Sequence, residues 1–127
     1  MAYIKYNANP SNKRTTDCAI RAVATACGIS WDDAYKELAN AGFAIKEAMH
    51  DLKTIEFVLC NHNFKIGKVL VPKGSKRPKV AQFSAEHPNW TALFSISGHV
   101  VASVKGNYYD TWDCGSKSLY KYYYKEI

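Results

Sequence analysis

The chain has 127 residues, 47% of them hydrophobic and 22% charged, with a formal net charge of +6 and a pI near 9.1. That length and composition predict one domain with one ordinary core and exclude a disordered or fibrous chain. No run approaches the roughly 18 apolar residues of a membrane span, and Met1 to Tyr6 lacks the apolar segment of a signal peptide. The expectation is therefore a cytoplasmic protein with reduced thiols and no membrane partner.

In chain order, Asn7 to Thr16 is polar and carries Asn9-Pro10-Ser11-Asn12, the composition of a loop. Thr16 or Asp17 then serves as N-cap to a helix in which Ala19, Ala22, Val23 and Ala26 recur at helical spacing and Gly28 supplies the stop. Its small side chains predict a buried, central helix. Ser30 and Asp33 form a capping pair for a second helix that ends before Gly42. Apolar positions from Ile45 to Cys60 predict a third.

The pattern then turns to β, with a short strand over Phe64 to Val71, a basic loop over Pro72 to Pro78 and a helical turn over Val80 to Ala85. Further strands are expected over Trp90 to Ile96, Gly98 to Val104, Asn107 to Trp112 and Ser118 to Tyr124. Helices first and strands second predict an α+β fold, a single domain over residues 1–127 with N-terminal helices packed against a C-terminal antiparallel sheet.

Chemistry enters through Cys18 and His99. Cys18 stands where Arg14-Thr15-Thr16-Asp17 gives way to the alanine-rich helix, so its thiol belongs to the first turn, where the helix dipole favours a thiolate. A free cysteine in such a helix also fits an ordinary core position. His99 opens a strand that returns as Tyr108-Tyr109-Asp110-Thr111-Trp112-Asp113, so a carboxylate on the return strand can accept its Nδ1 proton. A two-residue turn at Gly106-Asn107 pairs position 99 with 114 and a three-residue loop pairs it with Asp113, whereas a longer loop or bulge favours Asp110. Cys27 and Cys60 read as small buried hydrophobes, and Trp31 and Trp90 as packing residues. Cys60 with His62 lacks the second pair that a zinc site needs, so neither metal nor cofactor is expected.

The order of a cysteine at a helix start, a histidine on a strand and an acid on the next strand resembles the papain-like cysteine peptidase superfamily. In that family a Gln or Asn six positions before the nucleophile donates to the oxyanion, and Asn12 stands six before Cys18. Its Asn-Ser-Trp motif, whose Trp shields the hydrogen bond to histidine, is similar to Asp110-Thr111-Trp112. By that match Asp110 is the orienting acid and Asp113 the alternative. Arg-Thr-Thr-Asp-Cys, Gly-His-Val-Val-Ala and Tyr-Asp-Thr-Trp-Asp together also resemble small papain-like proteins of bacteriophages and prophages, which implies residence in the host cytoplasm. The resemblance covers Asn12 to Cys114 and implies a papain-like fold and a cysteine peptidase or isopeptidase acting on a protein or peptide through a thioester. Three features depart from it: Asn12 replaces the usual Gln, no Trp follows Cys18, and the chain is much shorter than papain.

A rival reading rests on charge. Lys65, Lys68, Lys73, Lys76, Arg77 and Lys79 cluster, and Lys117, Lys121 and Lys125 accompany Tyr120, Tyr122, Tyr123 and Tyr124. Lysines interleaved with aromatics suit a basic module that binds nucleic acid or a host protein, a role that a catalytically silent papain-like scaffold could also serve. The same alternation suits an edge strand, and the lysine cluster suits a solvated loop.

Overall fold

The computed structural model describes residues 3–127. Alanine shapes the centre of the fold. In α1 (Cys18–Cys27), Ala19, Ala22, Ala24 and Ala26 are buried with Ile20 and Val23, and such small side chains let the helix lie close on the strands beneath it. It ends where Gly28 turns left-handed at φ 67° and returns its N–H to the Ala24 carbonyl.

Caps explain where the next two helices start and why their limits differ from the apolar pattern. α2 (Trp31–Ile45) begins at Ser30, whose hydroxyl accepts from the Asp33 N–H at 3.0 Å. It runs through Gly42 instead of stopping there. A Cβ at that position would lie 2.7 Å from the Glu47 carbonyl oxygen, so Gly42 permits the close return of the chain, and the left-handed Lys46 (φ 62°) ends the helix. α3 (Leu52–Asn61) begins later than expected, because the Asp51 carboxylate accepts from the Lys53 N–H at 2.9 Å and sets the N-terminus there.

The strands are β1 (Tyr3–Lys5), β2 (Lys65–Lys68), β3 (Trp90–Ile96), β4 (His99–Val104), β5 (Asn107–Asp110) and β6 (Leu119–Glu126), with α4 (Val80–Glu86) between β2 and β3. They form one sheet in the order β1-β5-β4-β3-β6-β2. The sheet is mixed, which corrects the purely antiparallel expectation: β1 pairs in parallel with β5. Three residues are too few to display an alternation in sequence. β6 is also no edge strand, since it lies between β3 and β2.

Each sheet face has its own core. α1, α2 and α3 cover Leu93, Val100, Ala102 and Tyr123. The other face presents Ala92, Phe94, Ile96, Val101 and Leu119 to Val80 of α4, as the two-residue period of strands requires.

One turn matters most for the site. Lys105 (φ 53°) and Gly106 (φ 82°) join β4 to β5, and two left-handed central residues define a type I′ hairpin. The turn thus lies one residue earlier than Gly106-Asn107, and Asn107 pairs with Val104. From the last pair, Ala102 with Tyr109, three more steps would set position 99 opposite 112 and diagonal to Asp110. Among the described residues, no helix is long and apolar enough to cross a membrane.

Candidate active site

Cys18 is the first residue of α1, where backbone N–H groups have no partner within the helix. It is partly exposed in a cleft of about 720 Å³ that Thr16, Leu52, Gly98, His99 and Trp112 also line. Gly98 turns left-handed at φ 67° between β3 and β4 and so delivers His99 to the cleft as the first residue of its strand. The His99 ring lies close enough to the Cys18 thiol to favour its thiolate and brings Nε2 to 2.5 Å from Asp110 Oδ2. Nε2, and not the expected Nδ1, therefore meets the carboxylate, which leaves Nδ1 for the thiol. The Trp112 ring lies 4.9 Å from the imidazole.

Asp110 ends β5 and is 1% exposed. Its Oδ1 accepts from the Thr111 N–H at 2.8 Å and from Arg21 Nη1 at 3.0 Å. Arg21 also gives Nε to Asp17 Oδ1 at 2.8 Å. Asp17 Oδ2 in turn accepts from Trp31 Nε1 at 3.0 Å and from Asn9 Nδ2 at 3.3 Å. A continuous polar chain thus runs from Trp31 through Asp17, Arg21 and Asp110 to His99 and Cys18. Asp17 occupies the N-cap position yet makes no side-chain cap bond, because its carboxylate is committed to this chain. No motif singles out Arg21. Its one sequence signal is the four-residue spacing from Asp17, which sets an acid and a base on the same helix face.

The electrostatics follow from these contacts. The hydrogen bond from His99 lowers the Cys18 pKa against an opposing effect of burial, with help from the Val100 backbone and the charges of His99 and Arg21. Burial works to lower the His99 pKa, but the bonds to Asp110 and Cys18 carry it up to about 9. Burial likewise resists ionisation of Asp110, and the His99 bond together with the Thr111 N–H and Arg21 still holds its pKa below the ordinary value. These directions favour a thiolate beside an imidazolium. The other thiols behave differently: burial pushes Cys27 to about 12, and burial with the nearby Asp110 charge pushes Cys114 to about 12.

Two predicted site residues lie elsewhere. Asn12 is an exposed, left-handed residue (φ 52°) whose N–H donates to the Asn9 carbonyl at 2.9 Å, and it does not line the cleft. Position alone suggested its role, and the turn that carries it folds away. Thr15 and Thr16 stand at the Cys18 wall instead. The Asp113 carboxylate accepts from the Tyr108 hydroxyl at 2.6 Å and the Gly115 N–H at 2.9 Å, so it braces the loop after β5 while Asp110 alone engages His99. Cys60 is exposed, against the expectation of a buried hydrophobe.

The donor atoms of His99, Asp110 and Cys114 lie within 4.8 Å of one another. A cation there would face the Arg21 guanidinium, already bonded to Asp110, so the trio suits a hydrogen-bonded cluster better than a metal. Of the tyrosine-rich end, Tyr123 is buried and donates to Glu56. Tyr122 and Tyr124 stack on Trp90 at 5.6 and 4.2 Å between ring centres. These rings spend a face on one another, which leaves them less suited as stacking platforms for bases. No family model, curated protein or solved structure matches the chain.

Proposed function

We propose that the protein is a papain-like cysteine hydrolase that cleaves an amide bond in a protein or peptide, as a peptidase or isopeptidase. Cys18 is the nucleophile, His99 carries the proton and Asp110 orients the imidazole. One observation carries this reading: the His99 ring is bonded to Asp110 and shares with Cys18 one cleft open to solvent, close enough to lower the thiol pKa. A histidine kept only for packing needs no thiol and carboxylate on its two nitrogens, and the lowered Cys18 pKa gives the arrangement a chemical use.

The thiolate attacks the carbonyl carbon and forms a carbon–sulfur bond, while the carbonyl oxygen takes up the negative charge. The Cys18 backbone N–H is the natural donor to that oxygen, with Thr16 on the same wall as a side-chain donor. Collapse of the adduct breaks the carbon–nitrogen bond, and Nδ1 of His99 gives its proton to the departing nitrogen. Water then attacks the thioester as His99 accepts its proton, releasing the acid and restoring the thiolate-imidazolium pair. The nucleophile must be a reduced thiol, the state that the cytoplasm maintains.

A peptidyl vinyl sulfone, which traps an activated thiolate, tests the assignment. Mass spectrometry should find the adduct on Cys18 alone, and both labelling and hydrolysis of a mixed peptide library should disappear in Cys18→Ala and in His99→Ala. Equal labelling of the exposed Cys60 would remove the basis for a special thiol at position 18.

A further inference from the structure

The cleft does not end at His99. A second arm of about 510 Å³ continues past the imidazole and is lined by Gly98, His99, Trp112, Lys117, Ser118 and Tyr120, but not by Cys18. Tyr120 reaches it through an irregularity in the sheet. Ser95 pairs with Lys121 and the next residue, Ile96, pairs with Leu119, so Tyr120 is the extra residue of a bulge. Bulges commonly redirect a side chain at a site. The Arg77 guanidinium lies over the Tyr120 ring at 4.3 Å and donates to the Val69 carbonyl at 3.3 Å, so a second cation backs the Tyr120 ring although it does not itself line the arm. None of the residues lining either arm carries a carboxylate.

We infer that this second arm holds the leaving-group side of the substrate and selects an acidic segment there. The inference rests on the hydrolase reading for its direction and on the arm's own charges for its chemistry. Direction follows from the ring. Nε2 is taken by Asp110, so Nδ1, on the thiol side of the ring, protonates the departing nitrogen while the acyl carbon stays on Cys18. The segment attached to that nitrogen then extends past the imidazole, away from Cys18, where the arm begins. Its chemistry follows from Lys117 on a wall without opposing acids, with Arg77 held on the Tyr120 ring, where a substrate aspartate or glutamate gains a charge-assisted hydrogen bond that a neutral side chain lacks. Trp112 and Tyr120 supply flat apolar walls for the substrate backbone.

A substrate-free variant isolates the arm from the chemistry. Cys18→Ala is titrated at low salt with a fluorescein-labelled peptide of alternating Glu and Ala, with the same peptide carrying Gln for Glu, and with its Lys counterpart. We expect the Glu peptide to bind at least ten-fold more tightly than the Gln peptide, and Lys117→Glu with Arg77→Glu to remove that preference. Lys73→Glu with Lys76→Glu makes the same charge change on the loop outside the arm and should leave it in place. Thermal melts check that each variant is folded. Equal binding of Glu and Gln peptides, or an equal loss in the loop variant, overturns the inference even for an active hydrolase.

Wild-type protein is then incubated with the Glu peptide joined to a neutral Ala-Gly-Phe segment at either end, and the products are weighed. Cuts that leave the glutamates on the amine-bearing product support the inference, and cuts that leave them on the acid product overturn it. Arm-dependent binding without cleavage upholds acidic selection and counts against the hydrolase reading alone.

Discussion

Asp110 concentrates the account at the scale of the single residue. It is a buried carboxylate that accepts from an imidazole, a guanidinium and a backbone amide, and each donor holds it ionised for a different purpose: His99 for the proton, Arg21 for charge balance, Thr111 for position. Asp110→Asn keeps the shape and removes the charge that sustains the imidazolium. Peptide hydrolysis by that variant, followed as kcat/KM, should fall roughly 10³- to 10⁴-fold with the fold intact. Arg21 serves Asp110 and Asp17 together and touches no reacting atom. Arg21→Met strands both carboxylates in the interior, and urea unfolding should register a loss of about 3–5 kcal/mol. Arg21→Lys should recover only part of it, because one ammonium cannot span both acids as the guanidinium does. Asp113 is the contrasting case. Asp113→Ala should lower stability only slightly in urea unfolding and leave the pH profile of Cys18 alkylation unchanged, since its partners are Tyr108 and Gly115.

The elements explain why those residues meet. The β4–β5 turn fixes the register that brings Asp110 to His99, and it does so with a lysine in left-handed backbone at position 105. Asn accepts that conformation more readily than Lys. Lys105→Asn should therefore stabilise the protein by about 0.5 kcal/mol in urea unfolding without altering Cys18 reactivity, and a destabilised variant would show that the turn geometry is not what Lys105 strains. The same turn marks how far sequence alone reaches. The α1 start, the Ser30 cap and β3 were legible because caps and periodicity act locally, and Cys18 and His99 because polar sequence meets an apolar element at each. The choice of Asp110 over Asp113 was legible only from family resemblance. A one-residue difference in the turn reverses the facing of every residue beyond it, and Gly106 can serve a turn on either side. Arg21 and β1 stayed hidden because their partners, Asp110 and β5, lie about a hundred residues away and no local pattern reports such contacts.

For the whole molecule, the ion pairs make stability and reactivity depend on pH in linked ways. His99, raised from an unfolded value near 6.5 to about 9, contributes stability that is fully present below 6.5 and is lost as pH rises through 9. Cys18, lowered from about 9, contributes stability that is present above that value and lost as pH falls through its folded pKa. Below pH 9, wherever both groups titrate, the two slopes oppose each other. The melting temperature of the wild type should therefore depend less on pH there than that of a protein without the thiol. In Cys18→Ala only the imidazolium remains, and its melting temperature should fall as pH rises above 6.5, a fall that Cys18→Ala with His99→Gln removes. The central claim, that His99 maintains a thiolate at Cys18, is tested most directly by the pH dependence of Cys18 alkylation with iodoacetamide, wild type against His99→Ala, with mass spectrometry separating the four cysteines. Selective Cys18 reaction is expected well below the roughly 8.5 of a free thiol, persisting to higher pH in the wild type and lost at low pH in the variant. A Cys18 that titrates near 8.5 in both proteins would contradict it.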